Sequence, residues 1–155
     1  MTVLSSINAV KGRTDGSEVP AGCVGETISV SGSTSANLTS GVAVTAVSYA
    51  LPTGNWTISG TTTLSVPNSQ SVYSITYGFV NVTDGTYIGQ IPPETFDYGH
   101  RGTVYSNDNF SIGIATKPLS ISGTKTIAIW VTVQFDGTGT ISVNRAKSTL
   151  HFTRR

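Results

Sequence analysis

Strict alternation between apolar and polar residues along several short stretches is the feature that most limits what this chain can fold into. In the clearest case Ile127, Ile129, Val131, Val133 and Phe135 alternate with Ala128, Trp130, Thr132 and Gln134. Successive side chains point to opposite faces of a β-strand, so this pattern predicts a strand with one buried face. The runs 27–31, 42–49, 56–66 and 73–79 alternate in the same way.

Turn-forming residues separate these runs, and no stretch of helical length has the apolar spacing of a helix. Gly occurs beside Asn, Asp or Ser at 54–55, 84–85 and 122–123. Asp136-Gly137 follows the clearest run and predicts a hairpin to the next strand. Short strands separated by turns predict an all-β protein, a two-sheet β-sandwich of jelly-roll-like character formed by residues 26–155.

Residues 1–25 do not follow the alternation, and we predict that they form an extended N-terminal arm. The charged, glycine-containing stretch 11–18 offers little apolar surface to a core. The residues that could anchor such an arm on a neighbouring protein are Val3, Leu4, Ile7, Val10 and Arg13. A disordered tail is the alternative interpretation of this segment.

The composition excludes several classes of function. Only 11% of the residues are charged and the formal net charge is +1, which does not provide the basic surface that nucleic-acid binding requires. The basic residues near the C-terminus, Arg145, Lys147, Arg154 and Arg155, are expected to form a solvated or interface strand end.

The single cysteine, Cys23, excludes a disulfide within the chain, which allows assembly in a reducing cytoplasm. The chain contains no run of about 18 apolar residues, so the sequence predicts no membrane-spanning helix.

The segment 92–109 is polar and aromatic, and its length predicts a functional loop. Aromatic side chains beside a basic residue are typical of surfaces that recognise protein or sugar. The candidate partner-binding residues are Phe96, Tyr98, His100, Arg101 and Tyr105. The alternative is that the aromatic side chains anchor the loop to the body of the domain.

No catalytic motif is convincing. His100 has Asp97 and Asp108 nearby in the sequence, but the Gly-x-Ser-x-Gly turn of serine hydrolases is absent. Glu94 and Asp97 are the one close pair of acids in the long loop that could cleave a glycosidic bond. We therefore assign no catalytic, cofactor-binding or metal-binding residue and expect a non-enzymatic protein. A small polysaccharide-cleaving enzyme is kept as an alternative.

The two tryptophans are expected to differ in role. Trp56 opens an alternating run directly after a turn, and we predict that it lies in the core. Trp130 lies on the face opposite the isoleucines and valines of its run, between Ala128 and Thr132. A strand that is apolar on both faces predicts burial of both, so these three residues are candidates for a contact with another subunit.

Five short motifs carry a resemblance to a known family. They are Gly12-Arg13-Thr14-Asp15-Gly16, Ala21-Gly22-Cys23-Val24-Gly25-Glu26, Leu38-Thr39-Ser40-Gly41-Val42-Ala43, Leu51-Pro52-Thr53-Gly54-Asn55-Trp56 and Leu150-His151-Phe152-Thr153-Arg154-Arg155. Together they resemble the small β-domains of tailed-bacteriophage virion proteins, which are capsid decoration, head-fibre and tail-fibre-tip proteins. Cys23 departs from the pattern, which has a bulky residue at this place.

The resemblance implies a jelly-roll-like sandwich that forms a homotrimer and binds capsid or tail proteins, without nucleic acid, membrane insertion or cofactor. The trimer contact would then include Ala128, Trp130 and Thr132. The expected function is a capsid decoration or head-fibre protein, made in the bacterial host cytoplasm, held on the virion surface by its arm. The alternative is a receptor-binding tail-fibre tip that recognises a host-surface polysaccharide or protein.

Overall fold

The computed structural model describes residues 21–67, 70–89, 94–97, 103–104, 108–137 and 140–155. These ranges contain twelve strands and one short 3-10 helix, Arg145–Lys147. The strands are Thr27–Ser31 (β1), Ala36–Asn37 (β2), Val44–Leu51 (β3), Gly54–Val66 (β4), Gln70–Asn81 (β5), Thr86–Ile88 (β6), Glu94–Asp97 (β7), Thr103–Val104 (β8), Asp108–Ile121 (β9), Lys125–Gly137 (β10), Ser142–Val143 (β11) and Thr149–Arg154 (β12). Each alternating run of the sequence lies within or overlaps one of these strands, which confirms the predicted all-β class.

Strand β4 is the centre of the first sheet, in which every pair is antiparallel. Strand β9 pairs with one edge of β4, from the pair Gly54–Ile121 to the pair Val66–Asp108. The other edge of β4 pairs with β12 and, further along, with β11. Strand β1 then pairs with β12, and β2 with β11. The last strand of the chain therefore lies between β1 and β4.

Strand β10 is the centre of the second sheet, which is also antiparallel. It pairs with β3 on one side and with β5 on the other. The far edge of β5 pairs in succession with β6, β7 and β8. The two sheets face each other across one core, which confirms the predicted two-sheet sandwich.

The core is formed by the predicted faces of β4 and β10. Its residues from these strands are Trp56, Ile58, Gly60, Thr62, Leu64, Val66, Ile127, Ile129, Val131 and Val133. The ring of Phe152 from β12 lies 6.3 Å from the ring of Trp56 in an edge-on contact. Full burial of a large apolar side chain contributes about 1.5–3 kcal/mol. The alternation in the sequence therefore corresponds directly to the residues that stabilise the fold.

A β-bulge changes which residues of β5 face the core. The sequence predicts one face that contains Tyr73, Ile75, Tyr77 and Phe79. The pairing with β10 skips Tyr73 between Val72 and Ser74, so Tyr73 is the extra residue of the bulge. Val72 is buried instead, and the Tyr73 hydroxyl donates a hydrogen bond to Asp136. The prediction for this strand is therefore wrong at its first position only.

Two predictions about connections are wrong. Asp136-Gly137 does not form a hairpin, because β10 continues to Gly137 and the next strand, β11, pairs with strands of the other sheet. The segment 92–109 is not one continuous loop, because β7 and β8 lie within it and pair with β5. Short strands at the edge of a sheet bury little apolar surface, so hydrophobic alternation does not reveal them.

Gly60 allows a close contact between the sheets at the middle of β4. A Cβ atom at this position would lie 2.7 Å from Cδ1 of Ile129 and 2.8 Å from the backbone oxygen of Thr149. The ring of Phe79 would be the next neighbour, at 3.4 Å. Close-packed cores and backbone atoms do not yield easily to added volume, so glycine is required here for steric reasons.

We expect Gly60→Ala to lower the free energy of unfolding by about 1–3 kcal/mol, the usual cost of overpacking a core. Gly113→Ala is the matched control, because Gly113 lies in the neighbouring strand β9 and a Cβ atom there would meet nothing within 4 Å. Urea unfolding of the two variants measures the difference. Equal free energies of unfolding would contradict the steric role of Gly60.

Candidate interaction surfaces

Three segments from distant parts of the sequence meet at one end of the first sheet. The Glu26 carboxylate accepts a hydrogen bond from Nε of Arg154 at 2.8 Å, and the side chains of this ion pair are only 12% and 13% exposed. The same carboxylate oxygen accepts the backbone N–H of Gly22 at 2.7 Å. We call the group formed by Gly22, Glu26, Trp56 and Arg154 the terminal clasp.

Arg154 connects the terminal clasp to the start of β4. Its guanidinium carbon lies 4.1 Å from the centre of the Trp56 ring in a cation–π contact, and its Nη1 donates to the backbone oxygen of Thr53 at 2.9 Å. The indole N–H of Trp56 donates to the backbone oxygen of Pro52 at 3.1 Å. Gly54 has a φ of 153°, and a side chain there would overlap the Arg154 guanidinium. The first residue of β4 therefore has to be glycine.

Backbone hydrogen bonds close the same region. The N–H of Gly25 donates to the oxygen of Arg154 at 2.9 Å, and the N–H of Arg154 donates to the oxygen of Glu26 at 2.8 Å. The N–H of Arg155 donates to the oxygen of Asn55, also at 2.8 Å. The residues before β1, the last strand and the turn before β4 are thus held together as one unit.

The terminal clasp keeps Glu26 ionised. Burial raises the pKa of this carboxyl group, but the hydrogen bond from Gly22 and the hydrogen bond and charge of Arg154 lower it further, so the pKa lies below its ordinary value of 4.5. The folded state then binds the proton less tightly than the unfolded state does. The stability from this group is therefore present above pH 4.5 and is lost as the pH falls through the folded-state pKa.

Of the two expectations for the basic C-terminal residues, a solvated or an interface strand end, the solvated one is wrong for Arg154. This side chain is largely buried and its partner Glu26 lies 128 positions away, a contact that no sequence spacing indicates. Arg145 is half-buried, and its Nε and Nη2 donate to the backbone oxygen of Thr45 at 3.0 and 2.8 Å. Lys147 is exposed, as expected.

Trp130 lies on the outer face of the second sheet, as the alternation predicts, and is already covered within a single chain. The ring of Tyr87, from β6, lies 5.2 Å from the ring of Trp130, and the Trp130 residue is only 8% exposed. Ala128 is fully buried, whereas Thr132 is half-buried. Thr132 is therefore the most accessible of the three candidate trimer-contact residues, and the contact itself stays a prediction.

The indole N–H of Trp130 has no hydrogen-bond partner among the described residues, although it is buried. It lies close to Gly78 of β5, where a Cβ atom would be 3.5 Å from the nitrogen. Buried N–H groups in proteins nearly always have an acceptor. This donor is therefore an exception on the outer face of the second sheet.

Most of the other predicted site residues lie outside the described residues. These are Val3, Leu4, Ile7, Val10 and Arg13 of the arm, and Tyr98, His100, Arg101 and Tyr105 of the segment 92–109. Phe96 belongs to β7, where its backbone pairs with Ile75 of β5. The anchoring and partner-binding roles of these residues stay predictions.

The part of the chain that the structure describes contains no cluster of metal ligands. No group of three or more His, Cys, Asp or Glu residues in these ranges could hold a metal ion. Cys23 is exposed and is not in a disulfide. No helix in the same ranges is long and apolar enough to cross a membrane.

Comparison with known proteins finds similarity in structure only. No protein-family model matches the sequence, and no curated protein matches it. A structure of infectious bursal disease virus, Gx strain, is similar with a TM-score of 0.48 and 12% identity over 83% of this chain and 33% of that chain. The VP2 subviral particle of the same virus has a TM-score of 0.38 and 11% identity over 83% of this chain and 37% of that chain. This chain thus spans about a third of the length of each of these two viral chains, and neither comes from a tailed phage.

We expect Glu26→Gln to lower the free energy of unfolding at neutral pH by about 1.5–3 kcal/mol, the range for a hydrogen bond to a charged group, because Arg154 loses its counter-charge. The difference from the wild type should shrink below pH 4.5, where Glu26 itself becomes protonated. Urea unfolding over a series of pH values measures both effects.

The matched control for this change is Asp84→Asn. It breaks the ion pair between Asp84 and Lys125, whose side chains are 42% and 24% exposed, and exposed pairs contribute little to stability. A loss for Glu26→Gln no larger than for Asp84→Asn, or one that does not change with pH, would contradict the role given to the terminal clasp.

Proposed function

We propose that the protein is a non-enzymatic virion structural protein of the tailed-phage type. In this proposal it is a capsid decoration or head-fibre protein that forms a homotrimer and attaches to the virion through its N-terminal arm. The observation that carries the proposal is the terminal clasp. Three of the motifs that resemble phage virion domains, 21–26, 51–56 and 150–155, meet in it, so the resemblance corresponds to one structural unit.

The terminal clasp suits attachment through an arm because it fixes the last residues of the predicted arm, 1–25, to the body of the domain. Gly22 and Gly25 are hydrogen-bonded to Glu26 and Arg154. A binding segment whose base is rigid loses less conformational freedom on binding than one that joins the body through a free linker. An arm that starts from such a base can hold the sandwich in a defined orientation on a shell.

The outer face of the second sheet suits contact between subunits. Thr132 pairs with Thr76 and Trp130 with Thr45, so small hydroxyl-bearing side chains surround the tryptophan. We therefore propose that Thr132 and its neighbours form the accessible part of the trimer contact.

The described acidic side chains support a structural rather than a catalytic protein. Glu26 binds Arg154, Asp84 binds Lys125, and Asp136 accepts the hydrogen bond from Tyr73. Each of these three carboxylates is thus already engaged within the fold. General acid–base catalysis needs a carboxylate that can reach a substrate proton, and this arrangement favours stabilisation instead.

We expect Thr132→Arg to convert the trimer into a monomer, because a charge on this face would be desolvated in the contact without a partner. Sedimentation velocity at micromolar concentration measures the oligomeric state. Ser29→Arg is the matched control, because Ser29 is exposed on β1 in the other sheet. A wild-type protein that sediments as a monomer, or a Thr132→Arg variant that remains a trimer, would contradict the proposed contact.

We expect a chain that begins at residue 21 to fold but to lose its attachment to the virion. This boundary retains Gly22 and Gly25, and therefore the terminal clasp. Co-sedimentation of the full chain and of the shortened chain with purified capsids, and separately with purified tails, of the phage that encodes it measures attachment. Binding of the full chain to tails alone would favour the tail-fibre alternative. Equal binding of both chains to capsids would contradict the anchoring role of the arm.

A further inference from the structure

Strand β3 forms an edge of the second sheet, and among the described residues only β10 pairs with it. A groove of about 270 Å³ runs beside β3, lined by its residues 45–48 and by residues 31–34 at the end of β1. Consecutive side chains of a strand point to opposite faces of the sheet. Because four consecutive residues of β3 line it, the groove follows the backbone edge of the strand and not one of its faces.

Strand β3 lacks most of the features that keep a strand edge from pairing with a further strand, which are short length, charged side chains and proline. It has eight residues, none of them charged and none proline. The long edge strand of the first sheet, β9, contains Lys117 and Pro118. The other edge strands in the described ranges have two to five residues. The edge of β3 is therefore the long unprotected one in the described sheets.

Only the first part of this edge is covered. The guanidinium of Arg145 donates two hydrogen bonds to the backbone oxygen of Thr45. A Cβ atom at Gly32 would lie 3.3 Å from the backbone oxygen of Ala46, and the register of β3 with β10 skips Ala46 in a β-bulge. In the described ranges, no residue outside β10 makes a backbone hydrogen bond with residues 47–51. This second part of the edge stays open.

The predicted arm joins the body of the domain beside the open part of the edge. The N–H of Gly22 donates to Glu26, and the partner of Glu26, Arg154, donates to the backbone oxygen of Thr53. Strand β3 ends at Leu51, two residues before Thr53. The last residues of the arm therefore lie close to the C-terminal end of β3.

The arm is long enough to return along this edge. Residues 11–20 separate the terminal clasp from residues 2–10, and a stretch of ten residues can span at most about 33 Å. The open part of the edge is about 16 Å long, at about 3.3 Å per residue. Residues 2–10 can therefore reach all of it from the same chain.

The sequence of the arm divides into a part that suits a strand and a part that suits a connection. Residues 2–10 carry no charged side chain and include the β-branched residues Thr2, Val3, Ile7 and Val10, which are favoured in strands. Residues 11–20 contain the charged side chains of the arm, two glycines and a proline, which suit a turn. An uncharged segment meets no electrostatic barrier at the uncharged edge of β3.

We propose that residues 2–10 form an additional strand that pairs antiparallel with residues 47–51 of β3 in the same chain. The backbone N–H and C=O groups of β3 that point away from β10 would bond to those of the arm, as in other cases of strand addition to a sheet edge. The proposal goes beyond the virion role and does not depend on it. A virion partner that binds the same arm residues has to displace them from β3.

The proposed trimer contact uses a different part of the second sheet. Thr132 pairs with Thr76 of β5, and the pairing of β10 with β3 ends before it, at Val131 and Val44. Thr132→Arg should therefore leave the pairing of the arm unchanged. Loss of the trimer and loss of this pairing can be measured separately.

Amide hydrogen exchange of residues 47–51, followed by NMR, tests the proposal. Alternate N–H groups of an antiparallel strand point to opposite neighbours, so the amides that face away from β10 report on the arm. In a chain that begins at residue 21 these amides should exchange at least about tenfold faster than in the full chain, because they lose their acceptors. The amide of Ile129 in β10 should stay equally protected in both, which shows that the fold is kept.

A pair of proline substitutions in the full chain tests the same contact. Ser5→Pro together with Ser6→Pro removes two neighbouring N–H donors, one of which would face β3. This variant should exchange as fast as the shortened chain. The matched control is Thr14→Pro together with Ser17→Pro, which places two prolines in the connection and should keep the slow exchange of the wild type.

Equal exchange of the outward amides in the full and the shortened chain would overturn the proposal. Protection that increases with protein concentration would also overturn it, because the arm would then pair with a second copy. Protection that is independent of concentration and is lost with Ser5→Pro and Ser6→Pro supports it. This result does not depend on whether the chain binds capsids, so it is separate from the test of the virion role.

Discussion

Glu26 and Arg154 are 128 positions apart. The ion pair between them binds the first residues of the described chain to its last strand. Strand β12 must enter the first sheet between β1 and β4, so that sheet is complete only when the last residues of the chain are in place. The guanidinium of Arg154 then covers the ring of Trp56 and binds the turn before β4. Because one partner left alone would be a poorly solvated charge, the pair makes the two ends interdependent.

The inner faces of the two sheets stabilise the fold, whereas the proposed interaction surfaces lie on the outside of the sandwich. The inner faces of β4 and β10 are fully used for packing, with Gly60 as the point where a side chain would not fit. The functional proposals therefore concern the outer face of the second sheet and the terminal clasp, which binds Gly22 and Gly25 of the predicted arm to the last strand. Recognition on the turns and faces of a rigid framework is common in β-sandwiches.

The sequence was sufficient to predict the strands that bury one face, because alternation records that burial directly. It did not predict β9, although Phe110, Ile112 and Ile114 alternate. The pairing of β9 with β4 is shifted near Ala115, and Pro118 follows, so the period breaks in mid-strand. Alternation also cannot show which strands pair, and this is why the hairpin expected at Asp136-Gly137 does not exist.

The candidate surfaces were only partly predictable. The outer-face position of Trp130 follows from its place in the alternation, but its cover by Tyr87 depends on how β6 pairs with β5. The motifs that contain Glu26 and Arg154 were recognised separately, and only the folded chain shows them in contact.

Native-state hydrogen exchange of the backbone amides of Gly25 and Arg154 tests the central claim most directly, because these amides donate the hydrogen bonds that close the terminal clasp. If the clasp unites the two ends with the core, both amides should exchange only through global unfolding, with the same free energy as the amide of Ile129 in β10. Exchange of Gly25 and Arg154 through a local opening of much lower free energy, with Ile129 still protected, would show that the chain ends fray independently and would contradict the account.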